Sequence, residues 1–338
     1  MNAPLFQEMN SIAKIVSLRD LTPTVREFTI ELERAQAWTP GSHLPVALQV
    51  KGFLTWRHYS LTGISHPRRY QFAVKKLEQG RGGSLALWGL HVGDALKVGS
   101  PKNHFPLDPS APAYLLIAGG IGVTPFVSMV HAIKSQSRLH SSSEPQLKML
   151  YGARNLEELA YLEVLKEKMA AHELVVNLDS LDQRFDFRAQ ILQMPASTQA
   201  YVCGPQAMLS AVKEAWLDCN RSLGDLHFET FGTSGAKANE AFSLQVPRHD
   251  LSIDVAHDES LLEVLERHGV QTLYDCQRGE CGLCAMDVLS VEGEIDHRDV
   301  FLTQEEKSSN KKICVCVSRV CGTIILDSAY RGDEIFSN

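Results

Sequence analysis

The sequence predicts a multidomain chain: an antiparallel β-barrel, then an α/β unit built on a parallel sheet, then a compact α+β domain. Three observations predict it. Short alternating runs punctuated by Gly, Pro and Asn fill residues 10 to 107. Wholly apolar strands alternate with amphipathic helical patterns from 112 to about 232, the signature of a parallel sheet covered on both faces. After TSGAKANEA at 233 to 241, which has small and polar residues and no period, short strands return around one helical segment. The expected division is 1–107, 108–232, a linker at 233–241, and 242–338.

In the first part IAKIVSL, VREFTIEL, LPVALQV and RYQFAVKKL alternate with period two, so each is a strand with one buried face. In the second, YLLIAGG, LKMLYGAR, HELVVNLDS, TQAYVCGP and LHFETFG read as buried strands. TPFVSMVHAIKS, LEELAYLEVLKEKMAA and QAMLSAVKEAWLDCN read as the helices between them. In the third, the strands FSLQVP and LSIDVAH lead into the helix SLLEVLERHG, and AMDVLSVEGEID and TIILD return as strands.

The chain has 338 residues and is 44% hydrophobic, enough to fill the cores of two or three domains. Its longest uncharged stretch, 109 to 133, invites comparison with a membrane span, but Gly119, Gly120, Gly122 and Pro125 interrupt it. The opening MNAPLFQEMN has no basic segment followed by an apolar one, so no secretory signal is expected and the cytoplasm is the expected location. From Ala241 onward 18 acidic residues face 9 basic ones, giving −9 and leaving +2 for the rest of the −7 total. An acidic C-terminal body argues against a nucleic-acid partner and for a basic protein surface.

Of eight cysteines, six fall between Cys276 and Cys321. Without an export signal these are expected as free thiols or metal ligands, not disulfides. Zinc sites usually pair two short CxxC knuckles, whereas Cys276, Cys281 and Cys284 follow C-x4-C-x2-C, the plant-type [2Fe-2S] spacing. Gly279 and Gly282 give the loop the sharp turns and bare N–H groups that a cluster needs. A fourth ligand comes from Cys314 or Cys316, read as lying on one side of an extended strand; their spacing leaves the choice open.

Four more stretches carry chemistry. WRHYSLTG at 56 to 63 sets an arginine, an aromatic and a hydroxyl on one strand, and GRGGS at 80 to 84 opens a short helix where backbone N–H groups can hold a phosphate. AGGIGVTP at 118 to 125 and YVCGP at 201 to 205 each end a strand and open a helix, as a dinucleotide turn does, although neither matches G-x-G-x-x-G. Asp179 could accept from a free ribose hydroxyl, and Arg154 could instead meet a 2′-phosphate.

Together these stretches resemble the ferredoxin-NADP reductase superfamily, and in particular the phthalate dioxygenase reductase group with its C-terminal plant-type ferredoxin domain. The resemblance covers essentially the whole chain and implies a flavin barrel, a nicotinamide α/β domain and a β-grasp ferredoxin domain. It implies that Arg57 faces the flavin phosphate, that Tyr59 and Ser60 face the isoalloxazine, that His58 between them is also cofactor-binding, and that Ala73, Val74 and Lys75 edge the ring. Gly82, Gly83 and Ser84 would close over the phosphate. Gly119, Gly120 and Gly122 would flank the dinucleotide, with Thr124 near the reacting carbon and Cys203, Gly204 and Pro205 beside the nicotinamide. Phe231, in HFETFG, would shield the flavin; Ser60, Thr124, Cys203 and Phe231 thus form the catalytic set.

In this family the last cluster ligand sits in a CVSR segment preceded by a GEIDHRD-like run, which selects Cys316. GSPKNHFPL at 99 to 107 resembles the FMN-binding members, and the family favours NADH. The implied role is an NADH-dependent reductase passing electrons from NADH to FMN to [2Fe-2S] to a Rieske-type oxygenase that docks transiently on the acidic ferredoxin domain. A stand-alone diaphorase or redox sensor with the same cofactors is the alternative.

Overall fold

The computed structural model describes residues 11–50, 52–78, 80–136, 144–231 and 239–328. The chain forms two compact units, Met1–Glu229 and Thr230–Asn338.

The first unit begins with β1 (Ser11–Thr22), β2 (Val25–Leu32), β3 (His43–Val50), β4 (Phe53–Ser60), β5 (Arg69–Lys75), the short α1 (Gly83–Trp88) and β6 (Ala95–Val98). These strands form one antiparallel sheet in the order β4-β3-β6-β1-β2-β5, and a bridge between Leu61 and Phe72 brings the two edges together as a barrel. Alternation does the work here: Phe28, Ile30, Leu32, Leu44, Val46 and Phe72 point inward and are buried.

The same unit continues with β7 (Ala113–Gly119), α2 (Thr124–Gln136), β8 (Gln146–Ala153), α3 (Leu162–Lys168), β9 (Leu174–Leu178), α4 (Phe187–Leu192), β10 (Thr198–Cys203), α5 (Gln206–Asp218) and β11 (Leu226–Glu229). The sheet is parallel, ordered β11-β10-β7-β8-β9. The strand order reverses between β7 and β10, which creates a crevice at the carboxyl ends of those two strands. The apolar stretch at 109 to 133 is thus a buried strand, a turn and a helix. Among the described residues no helix is long and apolar enough to cross a membrane.

Barrel and parallel sheet are fastened by buried and half-buried polar bonds. Tyr161 Oη donates to Glu27 Oε2 at 2.8 Å and lies 3.1 Å from Thr62 Oγ1, Lys75 meets Glu158 at 2.9 Å, and Asp108 N donates to Tyr201 Oη at 2.9 Å. These bonds account for one departure from the sequence reading. The long helix expected over LEELAYLEVLKEKMAA is a 3-10 turn at Leu156–Glu158 followed by the separate α3, because Tyr161 takes φ +60° to reach the barrel. The α4 helix, capped by Asp186, carries too little apolar period to announce itself.

The second unit contains β12 (Phe242–Val246), β13 (Leu251–Val255), α6 (Leu261–Arg267), β14 (Ala285–Asp296), α7 (Gln304–Ser309), β15 (Lys312–Cys314) and β16 (Arg319–Asp327). Its mixed sheet runs β13-β12-β16-β14-β15, with β12 and β16 parallel and the other pairs antiparallel. Leu261, Leu262, Val264 and Leu265 bury one face of α6, and a Ser260–Glu263 capping box starts it. This is the expected α+β, β-grasp arrangement. The polar α7 was not read from the sequence; its own box, Thr303 with Glu306, defines it. Of the linker expected at 233–241, residues 233–238 lie outside the described residues.

Candidate functional site

In the first unit two groups of residues gather. On the barrel, Arg57, His58, Tyr59 and Ser60 occupy the end of β4. The Tyr59 ring stacks on Phe72 at 5.4 Å, which itself stacks on Phe28, so the core fixes the tyrosine. Burial pushes the Tyr59 hydroxyl well above its ordinary range, with Arg57 and Arg81 pulling back only in part. His58 packs on His43, which packs on His104 (ring centroids 4.9 and 5.2 Å). Ala73 and Val74 are buried on β5, and Lys75 is the partner of Glu158.

Gly82 caps α1 with no side-chain bond, leaving the first N–H groups of Gly83 and Ser84 without a side-chain cap. Arg57 lies directly against this helix start: a Cβ on Gly83 would sit 3.2 Å from Arg57 Cγ and 3.3 Å from Nε. An uncapped helix start beside a guanidinium fits a phosphate. Ser84 Oγ accepts from Leu77 N at 3.1 Å, so its hydroxyl also holds the loop before it.

The second group lies at the crevice. Because β7, β10 and β11 are neighbours, Ala118, Cys203 and Glu229 stand side by side at their carboxyl ends. Gly119 ends β7 and Gly120 and Gly122 turn immediately after it, as Gly204 and Pro205 follow β10. The turns touch backbone to backbone, so a Cβ on Gly122 would lie 2.2 Å from Cys203 O; only glycine fits. Thr124 is buried at the start of α2, its hydroxyl donating to Ile121 O at 3.0 Å.

The residue that the sequence reading missed is Glu229. It is 0% exposed, and its Oε2 is the acceptor for Ser60 Oγ at 3.5 Å and Cys203 Sγ at 4.0 Å. A carboxylate buried beside a hydroxyl and a thiol can hold a proton and orient both donors. It stood within the HFETFG stretch, but only its burial against residues 26 and 169 positions away marks it out. Phe231 is half-buried at the start of the second unit. Arg154 and Asp179 are both exposed, just past the ends of the neighbouring strands β8 and β9, and Ser180 N donates to Arg154 O at 2.8 Å.

In the second unit the cysteine loop is preorganised. The backbone N–H groups of Arg278, Glu280 and Cys281 all point at Cys276 Sγ, each at 3.4 Å. Gly279 and Gly282 have φ of +74° and +73°, and the Phe301 ring lies where a Cβ of Gly282 would be. Cys276, Cys284 and Cys316 are buried and Cys281 is half-buried. Cys284 Sγ lies 3.1 Å from Cys316 Sγ. Burial pushes the Cys276 thiol up, whereas hydrogen bonds from Cys314 and Cys316 hold Cys284 far down.

Cys314 and Cys316 do not share an extended strand as expected. The strand β15 ends at Cys314, and residues 315 to 317 turn sharply, with Val317 N and Ser318 N both bonded to Cys314 O. The turn brings Cys316 Sγ to Cys284 Sγ, and Cys314, opposite Ala285 on β14, also bonds to Cys284, so both thiols lie beside it. Thiol donors with inward-pointing N–H groups fit an iron–sulfur centre.

Comparison with known proteins gives the same order of parts. Family models match for an oxidoreductase FAD-binding domain over residues 13–106, an oxidoreductase NAD-binding domain over 116–214 and a 2Fe-2S iron-sulfur cluster binding domain over 245–321. The chain is 34% identical over 278 residues to the phthalate dioxygenase reductase of Burkholderia cepacia, covering 80% of this chain and 83% of that one. It is 33% identical over 323 residues to the carnitine monooxygenase reductase subunit of Escherichia coli strain K12, covering 93% and 97%. A solved structure of phthalate dioxygenase reductase, described as modular for electron transfer from pyridine nucleotides to [2Fe-2S], matches with a TM-score of 0.77 at 31% identity, covering 94% of this chain and 98% of that chain.

Proposed function

Because the chain belongs to the phthalate dioxygenase reductase-like family of flavin and iron–sulfur oxidoreductases, we propose that it is the NADH-dependent reductase component of a two-component Rieske non-haem iron oxygenase, of the aromatic-ring dioxygenase or O-demethylase type. The observation that carries this is the pairing, in one polypeptide, of the Ser60–Glu229–Cys203 group beside two glycine turns with a cysteine loop already folded around Cys276.

When bound, FMN would supply hydride acceptance from NADH with single-electron release, and a [2Fe-2S] centre would supply one-electron transfer. Arg57 and the start of α1, with Gly82, Gly83 and Ser84, hold the flavin phosphate. His58, Tyr59 and Ser60 and the β5 residues Ala73, Val74 and Lys75 would hold the ring. Gly119, Gly120 and Gly122 admit the dinucleotide close to the backbone, and Thr124, Cys203, Gly204 and Pro205 orient the nicotinamide. Glu229 keeps the Ser60 hydroxyl proton directed at its Oε2, so that the hydroxyl lone pairs face the crevice. Cys276, Cys281, Cys284 and Cys316 ligate the irons.

Choosing FMN over FAD is supported by the segment at 99–107, which is committed to its own packing: Asn103 Nδ2 donates to Thr39 Oγ1 and Pro40 O, and Phe105 is buried against Phe126 and Tyr201. A partner docking on the ferredoxin domain is supported by the −9 charge from Ala241 onward and by Leu283 and Phe301, 53% and 49% exposed beside the half-buried Cys281.

The test combines an anaerobic NADH titration with reconstitution against Rieske oxygenases over a range of salt. Flavin bleaching followed by loss of iron–sulfur absorbance is expected, with electron delivery to the oxygenase much more salt-sensitive than reduction of a small dye. Equal salt sensitivity would remove the docking argument, and transfer to dyes with no oxygenase accepted would leave the diaphorase reading.

A further inference from the structure

Residues 293 to 299, GEIDHRD, and 316 to 319, CVSR, lie far apart in the chain but form one unit. Asp299, at 0% exposed, is its centre. Its Oδ1 accepts from Ser318 Oγ at 3.3 Å and its Oδ2 from Leu302 N at 2.8 Å. Ser318 Oγ in turn accepts from Arg298 N at 3.2 Å, and Ser318 N closes the Cys316 turn on Cys314 O at 3.0 Å.

Asp299 also backs the cysteine loop. Val300 N donates to Gly279 O at 3.0 Å, and the Asp299 Cα lies 2.8 Å from where a Cβ of Gly279 would be. Asp299 therefore meets both segments that carry the cysteines, its carboxylate holding the Cys316 turn through Ser318 and its Cα and Cβ lying against Gly279 of the cysteine loop. Burial pushes its pKa up, but His297, the Leu302 N–H and Lys307 outweigh burial and hold it below the ordinary carboxylate range. Lys307 Nζ is 3.7 Å and His297 Nδ1 3.8 Å from the carboxylate.

We infer that Asp299 is a positioning residue for the iron–sulfur centre: through Ser318 it fixes the turn that carries Cys316, and its buried negative charge against the cysteine loop lowers the potential of the centre. A buried charge acts through a low dielectric, so adding an electron nearby is disfavoured. The inference rests on the reading that this loop holds a [2Fe-2S] centre.

The experiment uses full-length holoprotein in anaerobic redox titrations followed by electron paramagnetic resonance, with iron and sulfide counted in the same samples. Asp299→Asn keeps the shape and removes the charge. It should favour the reduced cluster about tenfold, or about 59 mV for one electron, with the flavin potential unmoved. Ser318→Ala keeps the charge and loosens the turn, so it should alter the g-values of the reduced cluster and speed cluster loss. A wild-type potential in Asp299→Asn together with wild-type g-values in both variants overturns the inference. If Asp299→Asn loses its cluster, the positioning role stands or falls with the g-values and cluster half-life of Ser318→Ala. Wild-type protein with neither iron nor a reduced-cluster signal would overturn the underlying reading, a result distinct from the other outcomes.

Discussion

Replacing Gly279 with alanine tests the cysteine loop most directly, because the structure divides its cost into two parts. The φ of +74° carries a left-handed backbone penalty of about 1–2 kcal/mol for any residue with a Cβ. The new Cβ would also lie 2.7 Å from Val317 Cγ2 and 2.8 Å from Asp299 Cα, where ordinary contacts are about 3.5–4.0 Å. Asp299 Cα is buried backbone, so relief requires moving the segment, a typical overpacking cost of about 1–3 kcal/mol. The sum, about 2–5 kcal/mol, is a large part of a domain stability of about 5–15 kcal/mol. Gly269 offers an internal control, with φ +77° and nothing within 4 Å of its Cβ position, so alanine there meets only the backbone penalty. The assay measures iron and acid-labile sulfide per chain, the thermal midpoint, and NADH-driven reduction of a two-electron dye and of a one-electron acceptor. Gly279→Ala should lose cluster and one-electron transfer while keeping dye reduction, and Gly269→Ala should keep all three. Equal cluster content and equal thermal midpoints in the two variants would refute the steric reasoning.

Glu229→Gln removes the carboxylate that orients Ser60 and Cys203 without changing its size, and should slow flavin reduction by NADH about a hundredfold in stopped-flow, with NADH binding little altered; an unchanged rate ends the role assigned to it. Arg57→Ala should weaken flavin retention roughly ten- to hundredfold, from lost charge-assisted bonds of about 1.5–3 kcal/mol, and Arg57→Lys should restore only part; flavin fluorescence on dilution reads both. His227 is held neutral by burial, against the pull of Asp225 and Asp108, so its folded pKa lies below that of the unfolded chain, about 6.5. The unfolded state therefore binds more protons as the pH falls through about 6.5, and stability is full above that point and declines below it. Thermal midpoints from pH 8 to pH 5.5 should show the decline in wild type and a flatter profile in His227→Gln; identical slopes would count against it.

Periodicity in the sequence determined the three-part organisation, because strands and helices impose different repeats on which residues are buried. Local spacing marked Cys276, Cys281 and Cys284, and the glycine turns after β7 and β10, because those motifs act within a few residues of chain. Tertiary structure decided what depends on distant partners. Tyr161 breaks an expected helix to reach Glu27, 134 residues away in sequence. Strand order sets Glu229 beside Cys203, and the barrel adds Ser60. The bend after Cys314 brings Cys316 to Cys284, and the Asp299–Ser318 bond explains why two separate motifs belong together. A buried carboxylate has no local periodic signature; its position follows from the polar groups that the fold brings to it.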